Sequence, residues 1–253
     1  MRFAAIGDMG TGETPQYETA AEMVRYHEKF PYDTVLMLGD NLYGGSKPED
    51  YQKKFSTPYK PLLDAGVKFY ASLGNHDRAD ERFFAPFNMN GQRYYNFKKG
   101  NVQFFALDSN YMDPPQTDWL DRRLNEAGNG WKICFFHHPL YSNGKFHGPD
   151  LDLRQRLEPL LMKDSVNLVL SGHEHVYERI APQHNIYYFV MGCSGELRYH
   201  NLNPSPDSQK GFDTDRAFLL FEISGDQLYF QAVSREGLTI DSGMLQRQGT
   251  SPR

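Results

Sequence analysis

The sequence predicts an α/β fold built on two sheets, and three observations carry that prediction. Short apolar runs of strand length alternate with stretches of helical periodicity, as expected of a sheet flanked by helices. The C-terminal part changes character, with strand-like runs following one another through turns such as Gly225-Asp226, so a second, largely antiparallel sheet is expected there. At 253 residues the chain can bury a substantial core, and a single domain over residues 1–253 is expected.

In chain order, residues 2–6, 34–38 and 68–73 read as strands. Between the first two, Tyr17, Ala20, Ala21, Val24 and His27 fall at helical spacing, which makes His27 a helix-face residue rather than a ligand. Residues 94–98 and 102–108 flank Lys99-Gly100-Asn101 as a hairpin, and Trp119, Leu120 and Leu124 mark a short helix. Residues 131–136 form a further strand, 151–162 a helix and 166–171 a strand. The tail contributes strands at 187–191, 217–223, 227–233 and 239–245. Two segments, 44–58 and 194–215, follow no pattern and are expected at the surface as a substrate rim or lid.

Composition narrows the function classes. The net charge of -5 comes without a Lys/Arg run, which argues against a nucleic-acid polymer or anionic lipid as partner. No apolar stretch approaches the ~20 residues that span a bilayer. The first strand begins at once, without a signal-peptide core, so the expected location is cytoplasmic, or periplasmic or secreted if a leader has been removed. Cys134 lies in an apolar run and Cys193 beside glycine, which suits buried thiols in a reducing compartment. Only four residues separate Cys193 from Arg198, one short of a cysteine-dependent phosphate loop, and two cysteines are too few for an iron–sulfur centre. Oligomeric state leaves no mark.

The chemistry collects where strands end. Five strand-like segments run directly into polar clusters: Gly7-Asp8-Met9-Gly10, Gly39-Asp40-Asn41-Leu42-Tyr43, Gly74-Asn75-His76-Asp77, His137-His138-Pro139 and Gly172-His173-Glu174-His175. In open α/β sheets ligands bind beyond the strands' carboxyl ends. Each cluster has a plainer reading. Asp8 could shape a glycine turn, Asp40 and Tyr43 could belong to an ordinary turn, and Asn75-His76-Asp77 could be an Asx turn. Gly7, Gly10 and Gly12 stand in the wrong order for a dinucleotide loop. His173 and His175 alternate at the end of an extended segment and can present two imidazoles together. His27, His184 and His200 read as bystanders, and His138 stays open. Carboxylate, phenol, amide oxygen and imidazole without thiolate favour iron, manganese or zinc, and one carboxylate such as Asp40 could bridge two ions.

Taken in order, GDMG, GDNLY, GNHD, FFHHP and GHEH resemble the metallophosphoesterase (calcineurin-like) superfamily, and specifically its purple acid phosphatase branch in a short, single-domain form. Gln116-x-x-Trp119-Leu120 and Val176-Tyr177-Glu178-Arg179 extend the likeness. Two positions carry the branch assignment: Gly10 stands where most of the superfamily has a metal-binding His, and Tyr43 stands where the purple branch has its iron-bound tyrosinate. The resemblance implies a four-layer α-β-β-α sandwich of two mixed sheets flanked by helices. It implies iron(III) held by Asp8, Asp40, Tyr43 and His175, and iron(II), zinc or manganese held by Asp40, Asn75, His137 and His173, with Asp40 as the bridge.

The implied activity is hydrolysis of phosphomonoesters by a metal-bound hydroxide. One trivalent and one divalent ion against two carboxylates, a phenolate and a hydroxide leave a single positive charge, which draws a small phosphate-ester dianion. His76, beside Asn75 and with Asp77 placed to orient it, is the first candidate for general acid, and His147 is the second. A phosphodiesterase or pyrophosphatase on nucleotide substrates is the close rival, and a di-iron redox protein the more distant one.

Overall fold

The computed structural model describes residues 1–247. β1 (Arg2–Ile6), β2 (Thr34–Leu38) and β3 (Lys68–Ser72) run parallel, with Ala5 opposite Leu36 and Leu36 opposite Tyr70. α1 (Thr14–Lys29), α2 (Pro48–Tyr51) and α3 (Lys60–Asp64) lie along the connections. The second sheet gathers β4 (Tyr95–Lys99), β5 (Val102–Ala106), β6 (Trp131–Phe135), β7 (Leu168–Ser171), β8 (Tyr177–Gln183), β9 (Ile186–Met191) and β10 (Ser208–Phe212) in the order β10-β8-β9-β7-β6-β5-β4. α4 (Pro114–Glu126) and α5 (Leu151–Lys163) connect its strands.

Alternation along each strand builds the layers. Phe3, Ala5, Leu36 and Leu38 point into a core shared with Phe104, Ile133, Phe135 and Leu170 of the second sheet. Their neighbours Ala4, Ile6, Val35 and Met37 pack outward against Ala20 and Met23 of α1, and against Phe55, Tyr59 and Leu62. On the far side Phe105, Cys134 and Val169 meet Leu120 and Leu124 of α4 and Leu153, Leu157 and Leu161 of α5. Strands covered on both faces read as unbroken apolar runs, which is how the sequence writes β1, β2 and β6. The result is the expected four-layer sandwich of two mixed sheets.

The tail departs from the expectation. β11 (Ala217–Ser224), β12 (Gln227–Ser234) and β13 (Thr239–Gln246) are antiparallel, but they make no sheet of their own. β11 pairs with β1, from Arg2 opposite Glu222 to Ala5 opposite Leu219, so the tail extends the first sheet. Periodicity marks a strand but not its neighbour, and this pairing joins residues at opposite ends of the chain. β8 is a strand the sequence does not announce, because Glu178, Arg179 and Pro182 interrupt its apolar character.

Both segments without pattern acquire structure. α2 continues into a wide π turn, Gln52–Ser56, held where the Lys54 ammonium donates to the Tyr43 carbonyl at 2.5 Å and to Asp50 at 2.6 Å. β10 lies inside the expected rim and pairs antiparallel with β8. Among the described residues no helix is long and apolar enough to cross a membrane. Cys134 and Cys193 are buried free thiols.

Candidate metal centre

The carboxyl ends of β1, β2 and β3 meet those of β6 and β7 along one edge of the two sheets, and the five clusters converge there. Asp8, Asp40 and His173 each turn the chain in the left-handed region, at φ 53°, 50° and 70°. Such backbone is disfavoured for side-chain-bearing residues and persists where the surroundings over-determine it. Gly39 shows how tight the convergence is: a Cβ there would lie 2.5 Å from His137 Nδ1.

Two sets of donor atoms result. In the first, the Tyr43 hydroxyl donates to Asp8 Oδ1 at 3.1 Å and lies 3.2 Å from His175 Nε2, which is itself 3.3 Å from Asp8 Oδ1. In the second, His137 Nε2 lies 2.9 Å from Asn75 Oδ1, 3.1 Å from His173 Nδ1 and 3.5 Å from Asp40 Oδ1. Asp40 stands between them, since its carboxyl also interacts with the Tyr43 phenol. Asp8, Asp40 and His137 are all buried and offer ligand atoms within 4.8 Å of one another.

The donor chemistry fits a cation in each set. His137 Nδ1 is 2.9 Å from the Leu38 carbonyl, an acceptor only, so its proton sits there and Nε2 presents a lone pair. That lone pair faces a carbonyl oxygen, a carboxylate oxygen and a second imidazole nitrogen, which carries at most one proton for the group. Atoms bound at right angles about 2.1 Å from one ion lie ~3.0 Å apart, close to the spacings observed.

The remaining site residues surround these sets. The His76 backbone N–H donates to Asp40 Oδ1 at 2.9 Å, and its imidazole, on the solvent side, lies 5.0 Å from the Tyr43 ring. Asp77 is engaged by the neighbouring loops. Its carboxylate accepts from the backbone N–H groups of Gly74, Asn41 and Leu42 and from the Asn41 amide, at 2.7–3.0 Å. These contacts, with a further bond to the Glu81 carboxyl, clamp the loops after β2 and β3 together. The His147 ring sits 4.0 Å from that of His173. His138 is tied through Nδ1 to the Ser109 hydroxyl at 2.8 Å, with its ring 4.4 Å from His173. His27 lies on α1, and His184 sits 3.9 Å from Glu158, both apart from the site.

The family model for calcineurin-like phosphoesterases matches residues 1–177. The chain belongs to that family. It is 25% identical to purple acid phosphatase 7 of Arabidopsis thaliana, over 93% of this chain and 86% of the relative. To tartrate-resistant acid phosphatase type 5 of Rattus norvegicus it is 24% identical, over 93% and 90%. A purple acid phosphatase from yellow lupin (Lupinus luteus) seeds superposes with a TM-score of 0.81 at 20% identity, covering 98% of this chain and 54% of that one. As a calcineurin-like phosphoesterase with purple acid phosphatase relatives, the chain is a metal-dependent phosphatase with a binuclear centre.

Within this phosphoesterase site, burial acts in opposite ways on the acidic groups and on the imidazoles. Burial, then the neighbouring Asp40 charge, holds the Asp8 carboxyl well above the usual carboxylate range. Burial, then Asp8 and Asp40, pushes the Tyr43 phenol up. Burial, then His138, holds His137 far below an ordinary imidazole, and burial, then His137, lowers His173. Asp8 and Tyr43 therefore keep protons that a cation must displace, whereas the imidazoles, His175 of the first set included, already present lone pairs.

Sequence reasoning does not single out Glu174. Fully buried, it accepts from the His147 and Gly148 N–H groups at 2.5 and 2.6 Å and from the Asn201 amide at 2.7 Å. It thereby fixes the loop that carries His147. Its position between two alternating histidines, on the opposite face, is the signal that could have pointed to it. A cavity of about 410 Å³, lined by Asn75, Arg93, Ser109, Tyr111 and His138, adjoins the second set. The larger groove, about 970 Å³, lies over α1 and β12–β13 and contains none of these residues.

Proposed function

We propose that this chain hydrolyses phosphomonoesters at a binuclear centre in which Asp8, Asp40, Tyr43 and His175 hold iron(III). Asp40, Asn75, His137 and His173 hold the second ion, iron(II), zinc or manganese. The observation that carries this reading is the pair of donor sets with Asp40 between them. Bound there, two cations supply a water of lowered pKa and neutralise phosphate charge. The chain's own groups do the rest. The His137 tautomer is set by Leu38, Asp40 is aimed by the His76 N–H, and the His147 loop is held by Glu174. His76, on the open side beside Tyr43, gives its proton to the departing alkoxide. His147, facing His173, lines the phosphate position.

Turnover of para-nitrophenyl phosphate against its bis ester, by the iron- or manganese-loaded chain, tests the proposal. It predicts a clear preference for the monoester with an optimum on the acid side of neutral. A preference for the diester would move the assignment to phosphodiesterase chemistry, and an optimum above pH ~8 would remove iron(III).

A further inference from the structure

Arg198 stands at this site without an assigned task. Its backbone N–H donates to the His175 carbonyl at 3.0 Å, which fixes it to the turn that carries a candidate ligand. Its guanidinium lies 3.4 Å over the Phe146 ring. The Phe146 ring is 4.6 Å from that of His147, and His147 is 4.0 Å from His173, so a row of rings leads from the guanidinium to the second donor set. Its charge bears on both His147 and His175. Glu196, on the same segment, bears on Asp8 and His175.

Other part-buried arginines have partners: carboxylates for Arg93, Arg179 and Arg235, backbone carbonyls for Arg82 and Arg216, and the Tyr141 ring for Arg154. Among the described residues Arg198 has no ion pair, and its buried Nε finds no hydrogen-bond partner. An unpaired cation held rigid and partly desolvated is unfavourable until an anion arrives, and the planar guanidinium fork matches phosphoryl oxygens. We infer that Arg198 is a further substrate-binding residue of this phosphatase, taking a phosphoryl oxygen that faces away from the metal centre. The inference rests on the functional reading above for its substrate, a phosphate ester.

The test is calorimetric titration of the metal-loaded full chain with inorganic phosphate, alongside steady-state kinetics with para-nitrophenyl phosphate. Wild type, Arg198→Gln and Arg198→Lys are compared at fixed ionic strength. The expected result is phosphate binding weakened, and KM raised, by roughly 10–100-fold in Arg198→Gln. Metal content should be unchanged, and Arg198→Lys should recover part of the loss. Wild-type phosphate affinity in Arg198→Gln would overturn the inference, and so would equal losses in both variants, which would mark a stacking role only. Phosphate binding needs no turnover, so the two readings separate. A chain that binds phosphate through Arg198 but hydrolyses nothing contradicts the proposed function alone, whereas a wild type that binds no phosphate overturns the inference.

Discussion

A Cβ on Gly10 would lie 2.0 Å from the carbonyl oxygen of Asn41. The loop after β1 rests directly on the loop after β2, with Tyr43 N donating to Gly10 O at 2.9 Å and Gly10 N to Asp40 O at 3.3 Å. This contact brings the Tyr43 phenol to Asp8 and leaves no room for a side chain at position 10. Gly10 and Tyr43 are thus two consequences of one packing arrangement. Gly10→Ala should lose about 1–3 kcal/mol by overpacking, read as a lowered thermal midpoint, and should impair the Tyr43 site before the His137 site.

Tyr43→Phe removes the hydroxyl and keeps the ring beside His76. Its thermal midpoint should stay near that of wild type, and hydrolysis should persist at a reduced rate. With iron(III) bound, the wild type should show a broad visible charge-transfer band that vanishes in this variant. A band that survives would place the chromophore elsewhere.

His76 and Asp77 are neighbours with separable roles. His76→Ala should lower kcat by about 10²–10⁴ with metal content and stability preserved, the signature of a lost general acid. Asp77→Asn replaces an acceptor of four N–H groups with an amide, and should cost about 2–4 kcal/mol of stability. Thermal melts and kinetics on both variants resolve the two. A kinetic defect in Asp77→Asn without loss of stability would support the catalytic reading of Asp77.

The opposite effects of burial on the acidic groups and on the imidazoles give a pH dependence of metal binding. Asp8 and Tyr43 are raised, so the metal-free protein holds protons there that binding must expel. Affinity at that set should rise with pH, about tenfold per unit for each proton displaced. His137 and His173 are lowered and stay neutral below the ordinary imidazole range, so the second set should vary little between about pH 6 and 8 on their account. Calorimetry in two buffers of different ionisation enthalpy would count the protons. Equal release from both sets would contradict this.

The sequence made the site legible because every ligand-bearing cluster closes a strand, and strands buried on both faces write themselves as apolar runs. Asp8, Asp40, Asn75, His137 and His173 could therefore be placed at one edge before any coordinates. Other features depend on relations that no local pattern records. β11 finds β1 across most of the chain. The Asp77 carboxylate is taken up by three donors of the Asn41 loop and by the Gly74 N–H. Glu174 and Arg198 acquire their roles from the loop at 142–148, which lies far from them in sequence. The segments at 44–58 and 194–215 lacked periodicity because Lys54 and the β8 pairing organise them, and neither acts through a repeating apolar face.

The central claim is that the two donor sets hold two metal ions with Asp40 shared between them. Elemental analysis of the as-isolated chain and of Asp40→Asn, each with its hydrolysis rate, tests it most directly. The arrangement predicts two ions per chain in the wild type, and in Asp40→Asn the loss of at least one ion together with most of the activity. A chain that hydrolyses phosphate esters with one ion or none, or an Asp40→Asn variant that keeps two ions and full activity, would contradict it.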